Sequence, residues 1–455
     1  MKQYLAIDIG ASSGRHIVGR LEGGKLVTEE VYRFPNGAKT ENGHLVWDVR
    51  RLLEEVRRGM RAAVEKCGKI DSFSVDTWAV DYVLTEGDRE ILPCYAYRDG
   101  RTASAVGEVH KVLPFTQLYA RTGIQFQPFN TVYQLYADKL AGRLESADGF
   151  LMLPEYLLYK LTGKRVCEYT NATSTGLVNA KTHSFDAEII AALGLPARLF
   201  EKEILQPCAE VGALLPEVAA EVGCNMRAVL CATHDTASAV LAAPVACDFS
   251  SPYISSGTWS LLGIEQKQAH TDEYSRRENF SNEGGPGFTF RWQKNIMGLW
   301  MLQSARKELG LDFSAAEKLA RENVCDALVD CNDEIFLAPA SMCAAVRGKA
   351  GALSDGQLLY CIYNSLAHCY KSALGAMGER SGKKFASLNI IGGGSNDVFL
   401  NELTAKVADV SVIAGPSEAT ALGNLLAQMI AGGEISGIRE GRELVRNSFP
   451  LRVFQ

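Results

Sequence analysis

Tyr4-Leu5-Ala6-Ile7-Asp8-Ile9-Gly10-Ala11-Ser12-Ser13-Gly14-Arg15 begins as a short apolar run, carries one carboxylate, and breaks into small residues. The run predicts a strand, and Gly10 to Gly14 a tight turn. His16 to Leu21 then predicts a return strand, Gly23-Gly24 a second turn, and Leu26 to Phe34 a third strand. Small turn residues let successive backbone N–H groups approach an anion, which suits phosphate oxygens. Asp8, on the strand just before the turn, suits Mg²⁺ held through water, because that ion keeps several waters and takes few protein ligands. No Gly-x-x-x-x-Gly-Lys-Ser/Thr occurs, and a strand rather than a helix follows, so this is not a P-loop. The plain alternative is an ordinary Gly-Ser hairpin; a carboxylate on an apolar strand argues against it.

Working outward, Asp48 precedes Val49, Leu52, Leu53, Val56 and Met60 at helical spacing. Ser72 to Val75 predicts another strand, leading into Asp76-Thr77-Trp78-Ala79-Val80-Asp81. A strand meander followed by alternating helix and strand indicates an α/β domain with a mixed sheet. The second half opens alike. Pro252 to Ser255 predicts a strand, Ser256-Gly257-Thr258 a small-residue turn, and Trp259 to Ile264 a return strand. Later, Leu388 to Ile391 runs into Gly392-Gly393-Gly394-Ser395 and an amphipathic helix through Phe399, Leu400, Leu403 and Val407. The repeated hairpin suggests structural duplication. The boundary is expected near Pro244, after a helix over Thr236–Ala243, giving domains 1–244 and 245–455.

Length agrees with two domains, since 455 residues exceed one ordinary core. Apolar residues at 47% and charged residues at 22% are globular composition. With 47 basic against 53 acidic side chains, a broad nucleic-acid or anionic-membrane face is not expected. The start reaches Asp8 before an apolar signal core forms, and no uncharged apolar stretch reaches about 18 residues. Twelve cysteines are scattered, including Cys247, with no Cys-x-x-Cys pair. They read as reduced thiols of a cytoplasmic protein. The seven histidines show no metal-ligand spacing.

Further candidates lie on junctions and loops. Val229 to Val240 is a strand that ends in His234-Asp235 at a helix start. Asp235 either caps that helix or accepts a proton from a sugar hydroxyl, a base needing little beyond orientation in a loose phosphoryl transfer. The sequence leaves both open. Asp76 to Asp81 sets a tryptophan among carboxylates, as sugar sites do. Tyr97-Arg98-Asp99-Gly100-Arg101 is a charged turn. Lys294 to Trp300 is expected to open a helix reaching Gln303, with Asn295 and Gln303 on one face. Triple glycine after a strand suits backbone lying against a nucleotide.

Together these segments resemble the FGGY family of carbohydrate kinases, within the actin-like ATPase fold. The resemblance runs over nearly the whole chain. It rests on Asp8 to Arg15, Arg33-Phe34-Pro35-Asn36, Asp76-Thr77-Trp78, Tyr97-Arg98-Asp99, Gly123-Ile124-Gln125-Phe126 and Glu168 to Thr173. It continues through His234 to Val240, Ser255 to Ser260, Asn282-Glu283-Gly284-Gly285 and Lys294 to Trp300. It implies two ribonuclease H-like α/β domains with mixed central sheets flanking a cleft, the N-terminal one binding sugar and the C-terminal one nucleotide. It also implies ATP-dependent phosphorylation of a ketose, L-rhamnulose at its 1-hydroxyl. Alternatives are another ketose such as L-fuculose or xylulose, or a non-catalytic sugar-responsive regulator. By carry-over, Asp235 is the general base, and Ala79, His234, Asp235, Thr236 and Asn295 meet the sugar. Ala11, Ser12, Ser13, Gly14, Arg15, Thr258, Gln303 and Gly393 match ATP-binding positions, and Asp8 the acid near Mg²⁺. The family usually has Gly where this chain has Ala79, which bears on sugar choice. No nucleic-acid or membrane partner is implied, and oligomeric state stays open. The tail after Arg446 is assigned no role.

Overall fold

A computed structural model describes residues 1–246 and 249–455; Cys247 lies outside the described residues. The other eleven cysteines are free thiols. Strands of the two main sheets are numbered here in chain order.

In the first sheet, β1 (Tyr4–Ile9) is buried along its whole length, as a strand covered on both faces must be. It pairs antiparallel with β2 (Ser13–Glu22), setting Asp8 opposite Arg15. β3 (Lys25–Pro35) continues the meander. On its other edge β1 runs parallel to β4 (Ser72–Thr77), which puts Asp76 beside Asp8. β5 (Glu210–Ala213) and β6 (Arg227–Val229) complete the order β3-β2-β1-β4-β6-β5. The helix Val49–Cys67 covers this sheet. Asp48 caps it by accepting from the Arg51 N–H, and Val49, Leu52, Val56, Met60 and Ala63 form its buried stripe. They join Leu5, Ile7, Phe73 and Val75 in one apolar core.

The second sheet contains β7 (Tyr253–Ser256), β8 (Trp259–Gln266), β9 (Thr289–Met297), β10 (Ser387–Ile391), β11 (Ser411–Ala414) and β12 (Arg452–Phe454). Within its seven strands the run is β9-β8-β7-β10-β11-β12. β7 is antiparallel to β8 and parallel to β10; β10 is parallel to β11, and β12 closes the edge antiparallel. The first four strands repeat the order of the first sheet, so the duplication suggested by two similar hairpins extends to the strand beside them; the two outer strands on that side come in the opposite chain order, and the second sheet has one strand more.

Four details differ from the sequence reading. Contacts divide the chain at Ala242/Ala243, but not into two uninterrupted halves. Gln266–Trp292 and Thr420–Ser448 belong to the first unit, and Ala243–Glu265, Gln293–Ala419 and Phe449–Gln455 form the second. Sequence order alone does not set membership of a unit. The tail after Arg446 contributes β12, an edge strand. Asn295 sits on β9 rather than on the helix Trp300–Glu308 that carries Gln303, so the two share no helical face; Gly298 and Leu299 separate them. The first turn is also shorter than expected, because Ser13 and Gly14 already pair in β2. Among the described residues, no helix is long and apolar enough to cross a membrane.

Candidate active site

In the first unit three chain segments emerge at the C-terminal ends of parallel or adjoining strands, where α/β sheets bind ligands. After β1 the turn is closed by the Gly10 N–H donating to Ser13 O at 2.9 Å. Asn36 grips it from β3's end: its backbone N–H donates to Ser12 O at 3.0 Å and its Nδ2 to Gly10 O at 2.9 Å. The Ala11 and Ser12 amides have no hydrogen-bond partner among the described residues, which leaves them available to an anion. Ser12 is exposed and Ala11 half-buried. Gly14 is required by close approach, since a Cβ there would run into the Phe34 ring.

Arg15 donates through Nε and Nη2 to Asp8 Oδ2, at 2.9 and 2.8 Å. Asp76 is fully buried, and its carboxyl is held well above the usual range by burial and then by the charge of Asp8. One oxygen accepts from Asn424 Nδ2 at 2.7 Å; the other, Oδ1, is buried without a partner. Among the described residues no group of three His, Cys, Asp or Glu is arranged to enclose a metal ion. Adjacent carboxylates with one unused oxygen nevertheless fit a hydrated Mg²⁺ that arrives on a nucleotide, because that ion needs only one or two protein oxygens.

The second segment is the loop after β4. The sequence reading assigned its acids to sugar hydroxyls; the structure turns Asp81 inward. Its Oδ2 accepts from Trp47 Nε1 at 2.6 Å, Trp78 Nε1 at 2.8 Å and the Tyr97 N–H at 3.1 Å, and Oδ1 accepts from Gln134 Nε2 at 3.1 Å. Burial pushes the carboxyl up to about 6 despite these donors. Asp81 therefore anchors the loop, and half-buried Ala79 lies at its bend. Asp99 of the charged turn is likewise a structural acceptor, taking the N–H groups of Leu45 and Arg101.

The third segment carries His234-Asp235. Thr77 donates its N–H to Thr233 O at 3.0 Å, and a parallel bridge joins Thr77 to His234. Glu168 Oε2 accepts from the Thr233 N–H and hydroxyl at 3.1 and 2.8 Å, fixing the approach from below. The helix is Asp235–Leu241, with His234 at its N-cap position. Asp235 does not cap in the usual way, to an N–H two or three residues on; Oδ1 instead takes the next N–H, that of Thr236, at 2.6 Å. The side chain keeps 30% exposure. Burial, then the charge of Asp8, raises its carboxyl pKa. A raised pKa suits a proton acceptor.

Residues to which the sequence reading gave no role hold this helix. Buried Arg442 donates to Val240 O at 2.9 Å and Leu241 O at 3.3 Å. Ser238 Oγ donates to Thr420 O at 3.0 Å. Arg291 and Glu283 meet His234. Glu283 lay within a segment that carries the resemblance, but nothing local in the sequence marked Arg291 or Arg442, whose burial comes from distant packing.

In the second unit the β7–β8 hairpin, the start of the helix Trp300–Glu308 and the glycine turn converge. Trp300 donates its N–H to Thr258 O at 3.2 Å and Leu299 to Gly257 O at 3.1 Å. Gly394 packs on the Ser256 side chain, while Gly393 is exposed with open space above it. Thr258 and Gln303 are half-buried. Asn295 Oδ1 is buried without a hydrogen-bond partner.

Comparison with known proteins matches residues 3–242 to the N-terminal domain, and 252–432 to the C-terminal domain, of the FGGY family of carbohydrate kinases. A rhamnulokinase of Oceanobacillus iheyensis is 41% identical, over 99% of this chain and 97% of its own. Rhamnulokinases of Halalkalibacterium halodurans and Bacillus subtilis are 42% and 41% identical, over 100% and 99% of this chain and 99% and 95% of theirs. Among solved structures, a ligand-bound xylulose kinase of Lactobacillus acidophilus aligns with a TM-score of 0.83 at 18% identity, covering 100% of this chain and 94% of that one. A gluconate kinase of the same organism gives 0.82 at 17%, covering 100% and 93%. At such identities these two speak for the fold.

Proposed function

The chain belongs to the FGGY family of carbohydrate kinases, and from that premise we propose that it transfers the γ-phosphoryl group of ATP to the 1-hydroxyl of L-rhamnulose. The products are L-rhamnulose 1-phosphate and ADP, in L-rhamnose breakdown. Relatives 41–42% identical over nearly full length bear the name rhamnulokinase, which supports this sugar over others. The observation that carries the chemistry is Asp235, a partly exposed carboxylate at a strand–helix junction with a raised pKa.

The acceptor hydroxyl oxygen attacks the γ-phosphorus in line, the bond to the β–γ bridging oxygen breaks, and Asp235 takes the hydroxyl proton late in the transfer. Ala79, His234 and Thr236 contact the sugar, as does Asn295, whose unpartnered Oδ1 supports a ligand role. The Ala11 and Ser12 amides donate to phosphate oxygens, with Ser13, Gly14 and Arg15 beside them, and Thr258, Gln303 and Gly393 contact the nucleotide. Mg²⁺ bound with ATP neutralises phosphate charge, and Asp8 would hold it through water. ATP dependence and eleven free thiols support a cytoplasmic setting.

A panel of L-rhamnulose, L-fuculose and D-xylulose with a coupled ADP readout tests the assignment. L-rhamnulose is expected to give the highest kcat/KM; a larger value for another ketose would replace the substrate, and no turnover with any would remove the kinase reading.

A further inference from the structure

We propose that Arg291, together with Glu283, is a positioning residue pair that fixes His234 as the neutral imidazole protonated on Nε2, the ring nitrogen nearer Asp235. This rests on the reading of Asp235 as proton acceptor. The three side chains are almost withdrawn from solvent: Arg291 is 1% exposed, Glu283 6% and His234 6%. Arg291 Nη2 stands 3.1 Å from His234 Nδ1 and 3.0 Å from Glu283 Oε2. Its Nε donates to Gly284 O at 3.1 Å. A guanidinium has five N–H donors and no lone pair to accept with. Nδ1 facing it must therefore be the acceptor, and the ring proton lies on Nε2, 3.4 Å from Asp235 Oδ1.

Glu283 Oε2 also lies 3.2 Å from Nδ1, so a competing arrangement exists in which Nδ1–H donates to the glutamate. That arrangement would set an N–H of Arg291 against an N–H of His234. A single Nη2 carries two hydrogens, enough for Nδ1 and Oε2 at once, and this arrangement leaves neither the guanidinium nor the ring nitrogen opposed. Glu283 then balances the buried guanidinium charge, which alone would be costly. The consequence is functional. With Nδ1 occupied as an acceptor, His234 presents only a donor to the site and does not compete with Asp235 for the hydroxyl proton.

Long-range ¹H–¹⁵N correlation spectra of ¹⁵N-histidine-labelled protein without substrate, with His234→Gln for assignment, read the tautomer directly. An unprotonated Nδ1 and protonated Nε2 are expected; a proton on Nδ1 overturns the proposal. The double variant Glu283→Gln/Arg291→Met removes both charges together and is expected to lose the fixed tautomer. It should lower kcat about tenfold or more while changing ketose KM less than about threefold. Arg291→Lys is expected to restore both. A double variant with parental tautomer and kcat overturns the proposal, as does a folded one in which KM alone changes. Because the spectrum needs no turnover, failure of Asp235→Asn to slow the reaction would sink the kinase mechanism while leaving the tautomer assignment standing.

Discussion

Asn424 donates through Nδ2 to Asp76 Oδ2 at 2.7 Å, tying the helix Ala419–Ala431 to strand β4 across 348 residues of chain. Gln428, one turn on, extends the contact by donating to Leu5 O and to Asn424 Oδ1 and accepting from Ser72. Asn424→Ala leaves buried partners unsatisfied on both sides, each costing about 1–3 kcal/mol. Denaturant unfolding is expected to show a loss in that range; a change under about 0.5 kcal/mol would mean the contact carries no stability.

Asp235→Asn keeps the shape and removes the proton acceptor. Turnover is expected to fall on the order of 10² or more, with ATP affinity, read by nucleotide titration, within about threefold of the parent. Near-normal turnover would eliminate Asp235 as the base.

The same carboxyl sets the acid side of the pH profile. Burial and the charge of Asp8 raise its pKa, and the base works only when ionised. kcat is therefore expected to fall as pH drops, with its midpoint above the ordinary aspartate value of about 3.9. A profile flat down to that value would show that the site does not perturb this group.

Much of this was legible in local pattern. The Tyr4–Phe34 meander, the Asp48 cap and the β7–β8 hairpin declare themselves by alternation, small turn residues and spacing, all short-range signals. The strand–helix junction at Asp235 was legible for the same reason. What stayed hidden depends on distant pairing. Asn424 reads as an ordinary helix residue until it meets Asp76, and Asp81 as a sugar ligand until two indoles and an amide surround it. The segment near Asn295 misled because strand β9 ends only two residues before the helix begins, and its apolar residues fit either period.

His16 supplies a stability test away from the site. It is fully buried on β2, its Nε2 3.1 Å from Val56 O, and burial lowers its pKa to about 4. Between about 6.5, its value when unfolded, and about 4, the unfolded chain binds a proton that the folded one refuses. Stability is thus lost as pH falls through that window, by roughly 3 kcal/mol at most. Tm measured against pH should fall more steeply for the parent than for His16→Leu; equal slopes would refute the assignment.

Gly14 and Phe34 offer a paired test of the phosphate turn. A methyl on residue 14 would collide with the Phe34 ring, and the ring is buried in the core beneath the turn. The collision can be relieved only by moving the aromatic or lifting the start of β2, and the lifted strand carries Ser13 with it. Gly14→Ala is therefore expected to raise the KM for ATP about tenfold or more, since misplacement of positioning groups by about 1 Å costs on that scale, and to leave ketose binding within about twofold. Phe34→Leu vacates part of the contested space, so the double variant is expected to recover most of the ATP affinity while losing about 1–2 kcal/mol of stability from the smaller core side chain. Steady-state kinetics with each substrate varied in turn, beside denaturant unfolding of all three variants, separates the effects. If the double variant binds ATP no better than Gly14→Ala alone, the glycine is needed for something other than room for that ring.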